Sequence, residues 1–505
     1  MLAGLRYLLI PTLLLWLGGC IYLPRSSQLE PQQILPTGDT KLAQQVAELP
    51  VADARLQLVN DPHEALVWRL ELIEAAQVSL DVQYYLWHGD TAGIMLMQRL
   101  LQAADRGVRV RLLVDDIMLA GSDSRILALS RHPNLDIRLF NPFTVRTRVG
   151  TTLARMGEFL LDAKRLNHRM HNKMLVADSS VGILGGRNIG DEYMGLHPRA
   201  AFYDLDIAVA GAVLKQVGAS FDAYWNSRWA YPIDVLVFNK VLRPSLEKVR
   251  AQLTEQLSRA PELPARLAEP PSRQRIDALI DQGASGQVQV LYDEPKVGPF
   301  DSPSQLARQI ADLVAATNSE LVIVSAYLVL RSAGIKILQE RAAAGVRVVM
   351  LTNSLASNNH TMANSGFARR RKALLDAGIE LYELRHDASL VGRSPQMPAD
   401  ARLTMHAKYM LFDDQVFIGS YNLDPRSAIL NTEIGLLIRS EVLTEAVRDM
   451  VRRSIAPDNA WRVRKTAEGL RWQSAAGELN RQPALGWWQR FQDRFFRLLP
   501  LDRQL

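Results

Sequence analysis

The chain has 505 residues, of which 48% are hydrophobic and 22% are charged, a composition that is ordinary for a globular protein. That length exceeds one typical hydrophobic core, so two domains are expected. The 59 basic and 53 acidic residues leave a net charge of +6, which suits anionic phospholipid surfaces or nucleic acid and does not choose between them. A single cysteine, Cys20, excludes an intrachain disulfide and therefore a cystine-stapled fold.

Residues 1–20 have the pattern of a bacterial export signal. Arg6 and the free amine supply the positive end, and the apolar run at 7–16 is too short to span a bilayer, which takes about 20 residues as a helix. Residues 17–20 resemble a lipobox, so Cys20 is expected to be lipidated; an uncleaved anchor is the alternative. Either one predicts a cell-envelope protein that is anchored to a membrane and faces outside the cytoplasm.

Strands and helices are predicted in the same order in two parts of the chain. Residues 78–115 predict a buried strand, a helix and a second strand, and residues 321–351 repeat that order. Alternating strands and helices indicate parallel sheets built from βαβ units, and the repetition indicates a duplicated domain. The predicted units are a flexible Pro- and Gln-rich tether at 21–50, a first half at 51–235, an inter-domain connection at 236–290, a second half at 291–465 and a tail at 466–505.

The C-terminal tail mixes aromatic residues with arginines. Its apolar side chains recur at helical spacing on one side, and the arginines flank that side. This pattern suits a helix at a membrane interface, but a helix docked on the protein core is an equal alternative. The apolar residues are Trp488, Phe491, Phe495, Leu498 and Leu499.

The motif His-x-Lys-x-x-x-x-Asp occurs twice, once in each predicted half. The copies begin at His171 and His406, and each leads into a Gly-rich turn followed by an asparagine. One such motif could arise by chance, or mark a buried histidine at the start of a strand. Two copies with parallel downstream residues favour a symmetric site that contains two histidines.

Strand geometry assigns faces to the motif residues. Lys173 and Lys408 lie two positions after the histidines and therefore point to the same side. The motif aspartates, Asp178 and Asp413, belong to the candidate catalytic set by pattern. Their odd spacing from the histidines turns them to the opposite face of an unbroken strand, which favours a supporting role.

The remaining polar residues complete a candidate phosphate site. The lysines, Asn188 and Asn422 supply donors for a tetrahedral oxyanion without a metal. Asp206 and Glu433 follow in matching frames and are the candidates to hold the second ring nitrogen of each histidine. One histidine could then attack phosphorus while the other protonates the leaving alcohol and deprotonates the acceptor. Water and a second alcohol both remain open as acceptors.

These residues resemble the phospholipase D superfamily, whose signature is this doubled motif. The segments 169–173, 185–193 and 221–227 are similar to the bacterial cardiolipin synthase C-type branch, as is the tail at 498–502, with Asp502 where glutamate is expected. The resemblance implies an α/β fold of two phospholipase D-like domains, each a mainly parallel sheet flanked by helices, related by a pseudo-twofold around one shared site. It also implies catalysis without metal or cofactor.

By resemblance, the reaction is transphosphatidylation between phospholipids, which gives cardiolipin through a phospho-histidine. His171 is the expected nucleophile, since the N-terminal histidine often has that role in relatives. Ser420 joins the phosphate-binding set and has Gly186 as its counterpart in the first half. The implied partners are phosphatidylglycerol, phosphatidylethanolamine as a second lipid, a membrane surface and an accessory protein.

Two other functions compete with this one. The nearest is a hydrolase of the same superfamily that acts on phospholipid or nucleic acid. A nuclease is the weaker form of it, because such relatives are often short chains with one motif copy that dimerise. A non-catalytic lipid-binding protein is a third hypothesis, and the intact histidine, lysine and asparagine of both halves argue against it.

Overall fold

The computed structural model describes residues 37–50, 53–119, 122–146, 151–237, 244–260, 272–295, 302–388 and 401–499, together with 23, 31–33 and 35. The predicted signal at 1–20, with its lipidation site Cys20, lies outside these described residues. None of the helices in this part of the chain has the length and hydropathy of a transmembrane span.

The first half contains ten described strands and nine helices. The strands are β1 (Ala54–Val59), β2 (Ser79–Tyr84), β3 (Arg109–Asp115), β4 (Leu135–Phe140), β5 (Arg169–Met170), β6 (Met174–Ala177), β7 (Val181–Gly185), β8 (Ala200–Tyr203), β9 (Asp206–Ala210) and β10 (Ala230–Pro232). The helices are Lys41–Ala47, Pro62–Ala75, Thr91–Asp105, Asp123–Leu129, Thr151–Leu161, Ala163–Leu166, Leu214–Trp225, Ile233–Leu236 and Leu246–Ser258.

The second half repeats this arrangement among its described residues. Its strands are β11 (Ala284–Tyr292), β12 (Glu320–Ser325), β13 (Arg347–Asn353), β14 (Glu380–Leu384), β15 (Arg402–Met405), β16 (Lys408–Phe412), β17 (Gln415–Gly419), β18 (Asn431–Thr432), β19 (Ile434–Arg439), β20 (Ala460–Thr466), β21 (Gly469–Ser474) and β22 (Gly477–Leu479). Its helices are Gln305–Ala316, Ser332–Ala343, Thr361–Ala368, Arg371–Asp376, Glu441–Ser454 and Trp487–Leu498, and one further helix, Gln274–Gln282, precedes β11.

Each half is built on a mixed sheet. The strand order is β10-β4-β3-β2-β6-β7-β9-β1 in the first half and β11-β19-β17-β16-β12-β13-β14-β20-β21-β22 in the second. Only β2-β3-β4 and β12-β13-β14 are parallel within these orders. The expected α/β halves are confirmed, but the expectation of mainly parallel sheets is wrong, because tight hairpins such as β6–β7 add antiparallel strands beside the βαβ units.

The two halves form one body through three kinds of contact. β1 pairs antiparallel with β11, which joins the two sheets at their edges. A shared hydrophobic core takes buried residues from both sheets, among them Val176, Ile207, Val324 and Leu436. Two short parallel strand pairs, β5 with β18 and β8 with β15, also connect the halves, and each pair takes one strand from each half.

Three predicted boundaries need correction. The tether is not flexible throughout. Leu42 is buried in the hydrophobic core of the first half, and the Gln32 side chain accepts a hydrogen bond of 2.8 Å from Trp225 Nε1. The second half begins with β11 at Ala284, inside the predicted connection. The predicted tail begins with sheet strands, since β21 and β22 extend the second sheet beyond β20.

The aspartates of the doubled motif support the central strands. The Asp178 carboxylate accepts hydrogen bonds of 2.8–2.9 Å from the backbone N–H groups of Gln77, Val78 and Ser79, where β2 begins. Asp413 does the same at 2.8–3.0 Å for residues 318–320, where β12 begins. Their inclusion in the catalytic set is therefore wrong, and their role is to hold the strand starts.

We expect the Asp178→Ala variant to lose several kcal/mol of stability, since each buried backbone donor left without an acceptor costs about 1–3 kcal/mol. The Asp413→Ala variant should lose less, because Asp413 is partly exposed and water can replace it. Thermal unfolding followed by circular dichroism measures both. Equal melting temperatures for Asp178→Ala and the unchanged protein would contradict this role.

Candidate active site

The first histidine of the motif is held by the second half of the chain. The backbone N–H of His171 donates to Thr432 O at 2.9 Å, and its ring Nδ1 lies 2.8 Å from Glu433 Oε2. The Tyr85 ring meets the imidazole edge-on at a centroid distance of 4.9 Å. Because Glu433 accepts the Nδ1 proton, Nε2 is left with its lone pair as the reactive nitrogen.

The second histidine is held in the mirrored way by the first half. The backbone N–H of His406 donates to Tyr203 O at 2.7 Å, and its Nδ1 lies 2.6 Å from Asp204 Oδ2. The rings of Tyr193 and Phe202 pack against its imidazole at 5.1 and 5.5 Å. Each histidine is thus oriented by a carboxylate from the opposite half, which makes the two motifs a single site.

The prediction of Asp206 as the partner of a histidine is wrong. Its carboxylate accepts from Arg69 Nη2 at 2.9 Å and pairs with Arg187 at 3.3 Å in a fully buried position. The hairpin register explains the error, because Asp206 lies opposite Gly185 while its counterpart in the second half is Gly435 opposite Gly419. Asp204, two positions earlier, is therefore the true equivalent of Glu433.

The unequal residues Gly186 and Ser420 are explained by these carboxylates. A Cβ on Gly186 would lie 2.1 Å from Asp204 Oδ1, so the absence of a side chain there lets the shorter aspartate reach its place. In the second half, the Ser420 hydroxyl donates to Glu433 Oε2 and accepts from Ile434 N–H at 3.0 Å. Ser420 thereby positions Glu433, and its contact with phosphate stays a prediction.

The lysines lie beside the histidines, as the strand spacing predicts. Lys173 Nζ donates to His171 O at 2.6 Å, and Lys408 Nζ donates to His406 O and lies 2.9 Å from His406 Nδ1. Both lysines are buried. They place ammonium groups where a phosphate oxygen can replace a backbone carbonyl as the acceptor.

The two asparagines differ in how their amides are engaged. Asn188 Oδ1 accepts from Leu86 N–H at 3.2 Å, and its Nδ2 donates to Tyr193 OH at 3.1 Å. The Asn422 Oδ1 is buried and has no hydrogen-bond partner among the described residues. Asn188 therefore supports the aromatic wall around His406, and the phosphate-binding role of Asn422 stays a prediction.

Burial and neighbouring charge set the protonation states of the bases and cations. Burial, with the charge of Lys408, lowers the pKa of His406 to about 3, and burial with Lys173 and Lys408 lowers the pKa of His171 well below its usual value. Burial lowers the pKa of Lys408 to about 8 and that of Lys173 well below its normal range. The charge of each lysine also lowers the pKa of the histidine in the other half, so the four side chains interact electrostatically.

The two carboxylates respond differently to burial. Burial raises the pKa of Glu433 to about 7 despite the opposing charge of Lys173. Burial alone would also raise the pKa of Asp204, but His406 and Lys408 together lower it below its normal range. The neighbouring cations therefore favour the ionised form of Asp204, whereas burial makes Glu433 the weaker acid of the two.

Two supporting features were missed from the sequence. Asp293 is bonded to the backbone of Glu433, donating from its N–H to Glu433 O at 3.0 Å and accepting the Glu433 N–H at 3.2 Å. The other feature is the aromatic wall: Tyr193 ends the segment 185–193 that carries the resemblance but had no role assigned, and Phe202 lies outside it. In the described part of the chain, His88, Asp90 and Glu192 form the one cluster of potential metal ligands, and it is partly exposed and does not include the histidines.

Comparisons with known proteins agree with this geometry. A family model described as a cardiolipin synthase, PLD-like domain, matches residues 70–225 and 310–454. Cardiolipin synthase C of Escherichia coli K12 is 35% identical over 469 residues, which cover 87% of this chain and 93% of that protein. Cardiolipin synthase 2 of Staphylococcus epidermidis is 23% identical over 399 residues, or 78% of this chain and 67% of that protein.

A solved structure supports the fold. The crystal structure of a phosphatidylserine synthase from Haemophilus influenzae aligns with a TM-score of 0.57 at 18% identity. The alignment covers 92% of this chain and 99% of that chain. The likeness therefore extends over both halves.

Mutation should distinguish the roles of Asp204 and Asp206. Asp204→Asn should lower turnover of phospholipid by about 10²- to 10⁴-fold, because the His406 ring loses its charged orienting partner. Asp206→Asn should instead lower the melting temperature, since Arg69 and Arg187 lose a buried counter-charge. Steady-state rates and thermal unfolding of both variants test this, and a larger rate loss for Asp206→Asn would reverse the assignment.

Proposed function

Because the chain belongs to the phospholipase D-like cardiolipin synthase family, we propose that it is a phosphatidyltransferase that forms cardiolipin by transphosphatidylation. The observation that carries the proposal is the crossed pair of buried histidines, each oriented by a carboxylate of the other half and accompanied by a lysine. Such a site holds one phosphodiester between two imidazoles.

In the first step, His171 Nε2 attacks the phosphorus of the donor phospholipid. A nitrogen–phosphorus bond forms, and the bond from phosphorus to the headgroup oxygen breaks. The headgroup alcohol leaves with a proton that it takes from His406, which must first be protonated within the complex. Lys173 and Lys408 stabilise the charge on the non-bridging oxygens.

In the second step, the free hydroxyl of a second phospholipid enters in place of the departed alcohol. His406 removes its proton as the oxygen attacks phosphorus, and the bond from phosphorus to His171 breaks. With phosphatidylglycerol as both donor and acceptor, the products are cardiolipin and glycerol. With phosphatidylethanolamine as donor, ethanolamine leaves instead.

Water in place of the second hydroxyl would make the same site a phospholipase D-type hydrolase. Both histidines are at most 6% exposed, with aromatic rings packed against them. This enclosure supports transfer to a lipid alcohol over hydrolysis, because a site that excludes water protects the phospho-histidine.

The proposed setting is the bacterial cell envelope. Residues 1–20 would export the chain, and lipidated Cys20 would anchor it on the outer side of the cytoplasmic boundary. The mature domain would then meet its phospholipid substrates in the membrane that holds its anchor. An accessory protein would act by delivering one of the two lipids.

The primary test is a lipid assay on the purified chain in mixed micelles. Phosphatidylglycerol is supplied with and without phosphatidylethanolamine, and products are identified by mass spectrometry. We expect cardiolipin from the intact chain and at least a 10³-fold loss in His171→Ala and in His406→Ala, because neither histidine can replace the other. Circular dichroism of the variants controls for folding.

The outcome also separates the alternatives. Phosphatidic acid without cardiolipin would identify a hydrolase. Full activity in either histidine variant would exclude the two-histidine mechanism. The intact chain can also be quenched rapidly during the reaction and digested. A phosphorylated peptide that contains His171 supports His171 as the nucleophile, and one that contains His406 would reverse the roles.

We expect the activity to follow a narrow bell-shaped curve when it is plotted against pH. Glu433 must be ionised to hold the His171 Nδ1 proton, so activity rises as pH passes its raised pKa of about 7. Lys408 must be protonated, so activity falls as pH passes its lowered pKa of about 8. Lys408→Arg should remove the alkaline limb, since guanidinium stays charged. An unchanged limb near pH 8 in that variant would exclude Lys408 as its source.

A further inference from the structure

Two helices turn charged side chains toward the protein and apolar side chains toward solvent. In Thr151–Leu161, Arg155 and Glu158 are buried, and in Trp487–Leu498, Asp493 is buried. A surface helix of a globular protein normally has the reverse arrangement, with its apolar stripe on the core. The inversion occurs once in each half of the chain.

The first of these helices is fastened by its polar face. Arg155 Nη1 donates to Asp116 O at 3.2 Å, and the Glu158 carboxylate accepts from the backbone N–H groups of Thr144 and Val145 at 2.8 and 3.0 Å. The outward residues are 59–79% exposed. They are Leu153, Met156, Leu160 and Leu161.

The second helix is fastened in the same way. Asp493 Oδ2 accepts from Gln482 and Arg497 at 2.5 Å, and Gln489 Nε2 donates to Leu355 O at 2.6 Å. The aromatic residues stack on one another at the surface, with Trp488 and Phe491 centroids 5.3 Å apart. The outward residues are 50–83% exposed and are Trp487, Trp488, Phe491, Phe495 and Leu498.

One strand of each half ends at an equivalent place beside the active site. Asp115 ends β3, and its carboxylate accepts from Met170 N–H at 3.0 Å. Asn353 ends β13, and its Oδ1 accepts from Met405 N–H at 2.8 Å. Met170 and Met405 each directly precede a catalytic histidine.

Each inverted helix is bonded just beyond one of these strand ends. The first is bonded to the carbonyl of Asp116, and the second to that of Leu355. Each helix is therefore attached at the carboxyl end of the parallel strands of its half, which is also the end that holds Met170 or Met405. The apolar faces thus belong to the end of the molecule that carries the catalytic histidines.

We propose that these two faces are paired membrane contacts, which seat the active-site end of the protein on a phospholipid bilayer that carries anionic headgroups. Both faces are convex single helices, which suit a fluid interface. The tryptophan pair suits the boundary between headgroups and acyl chains. Arg494 and Lys164 are exposed beside the apolar residues and complement anionic headgroups.

This proposal depends on surface geometry and does not require the reaction proposed above. It also acts separately from lipidation of Cys20, which tethers the chain but does not orient it. Its tests therefore measure binding and depth rather than turnover, so that they can fail or succeed independently of the enzyme assay.

Tryptophan emission of the full chain reports on the second helix directly. Vesicles of phosphatidylglycerol and acyl-brominated phosphatidylcholine should quench the intact chain more than Trp487→Phe/Trp488→Phe, which keeps the apolar face. The same difference should remain in a Cys20→Ala background. Equal quenching of the intact chain and the double variant would overturn the proposal.

Paired charge substitutions test both helices. In the Cys20→Ala background, Phe491→Asp/Phe495→Asp and Leu160→Asp/Leu161→Asp should each weaken vesicle binding at least about tenfold, since each removes two large apolar groups from the bilayer. Val442→Asp, an exposed apolar position on another helix, is the matched control and should bind as before. Melting temperatures confirm that each variant is folded.

Three results would overturn the proposal. An equal loss of vesicle binding in Val442→Asp would mean that any added negative charge weakens binding, wherever it lies on the surface. A loss confined to the C-terminal helix would exclude the paired arrangement. Light scattering that shows a dimer without lipid, broken by the same substitutions, would assign the faces to a second copy of the chain.

Discussion

The crossed pairing of histidines and carboxylates is the interaction on which the site depends. His171 with Glu433 and His406 with Asp204 are buried contacts that exist only when both halves are in place. The strand pairs β5–β18 and β8–β15 end directly at these residues, so the backbone carries each carboxylate across the boundary. Neither half orients its motif histidine alone, and a buried carboxylate that loses its hydrogen-bond donor is costly. Assembly of the halves and assembly of the site are therefore the same event.

Beneath the site, buried arginines hold the ends of the central strands. Arg69 binds Asp206 and the Tyr84 hydroxyl, and Arg169 pairs with Asp115 at 3.2 Å. Such pairs add little net stability compared with apolar packing, but they penalise every other arrangement, because an unpaired buried charge is far more costly. These contacts hold the segments that carry the histidines, since Asp115 also accepts the backbone N–H of Met170, the residue before His171.

The sequence predicted most of the polar residues of the site correctly, but it did not predict the register of the strands that carry them. The histidines, lysines and Glu433 followed from a doubled motif whose spacing is local, and the two α/β halves followed from the repeated βαβ order. Asp204 could not be separated from Asp206 by periodicity, since residues two apart share a strand face. The register of β7 with β9 decides between them, and the long connection between these strands does not reveal that register in the sequence. The contrast of Gly186 with Ser420 was a usable signal, because a missing side chain opposite a shorter carboxylate preserves the same reach.

The orientation of the two inverted helices could not be predicted from the sequence either. A helical wheel of residues 487–498 gives one apolar and one polar face, but it does not say which of them meets the protein. That choice is made by distant partners such as Gln482 and Leu355, which satisfy the polar face. The apolar face is then left outward, where exposure to water is unfavourable until another surface covers it.

The electrostatics of the two histidines and two lysines favour an anionic ligand. Two buried lysines beside two neutral imidazoles are held below their normal basicity, because burial penalises the ammonium form and the available carboxylates do not fully compensate. A phosphodiester entering between them brings the missing negative charge and stabilises the protonated lysines. The same anion favours a protonated His406, which the first step requires as the acid. The substrate thus completes the charge balance of the site that acts on it, and neutral ligands of the same shape would leave that balance unmet.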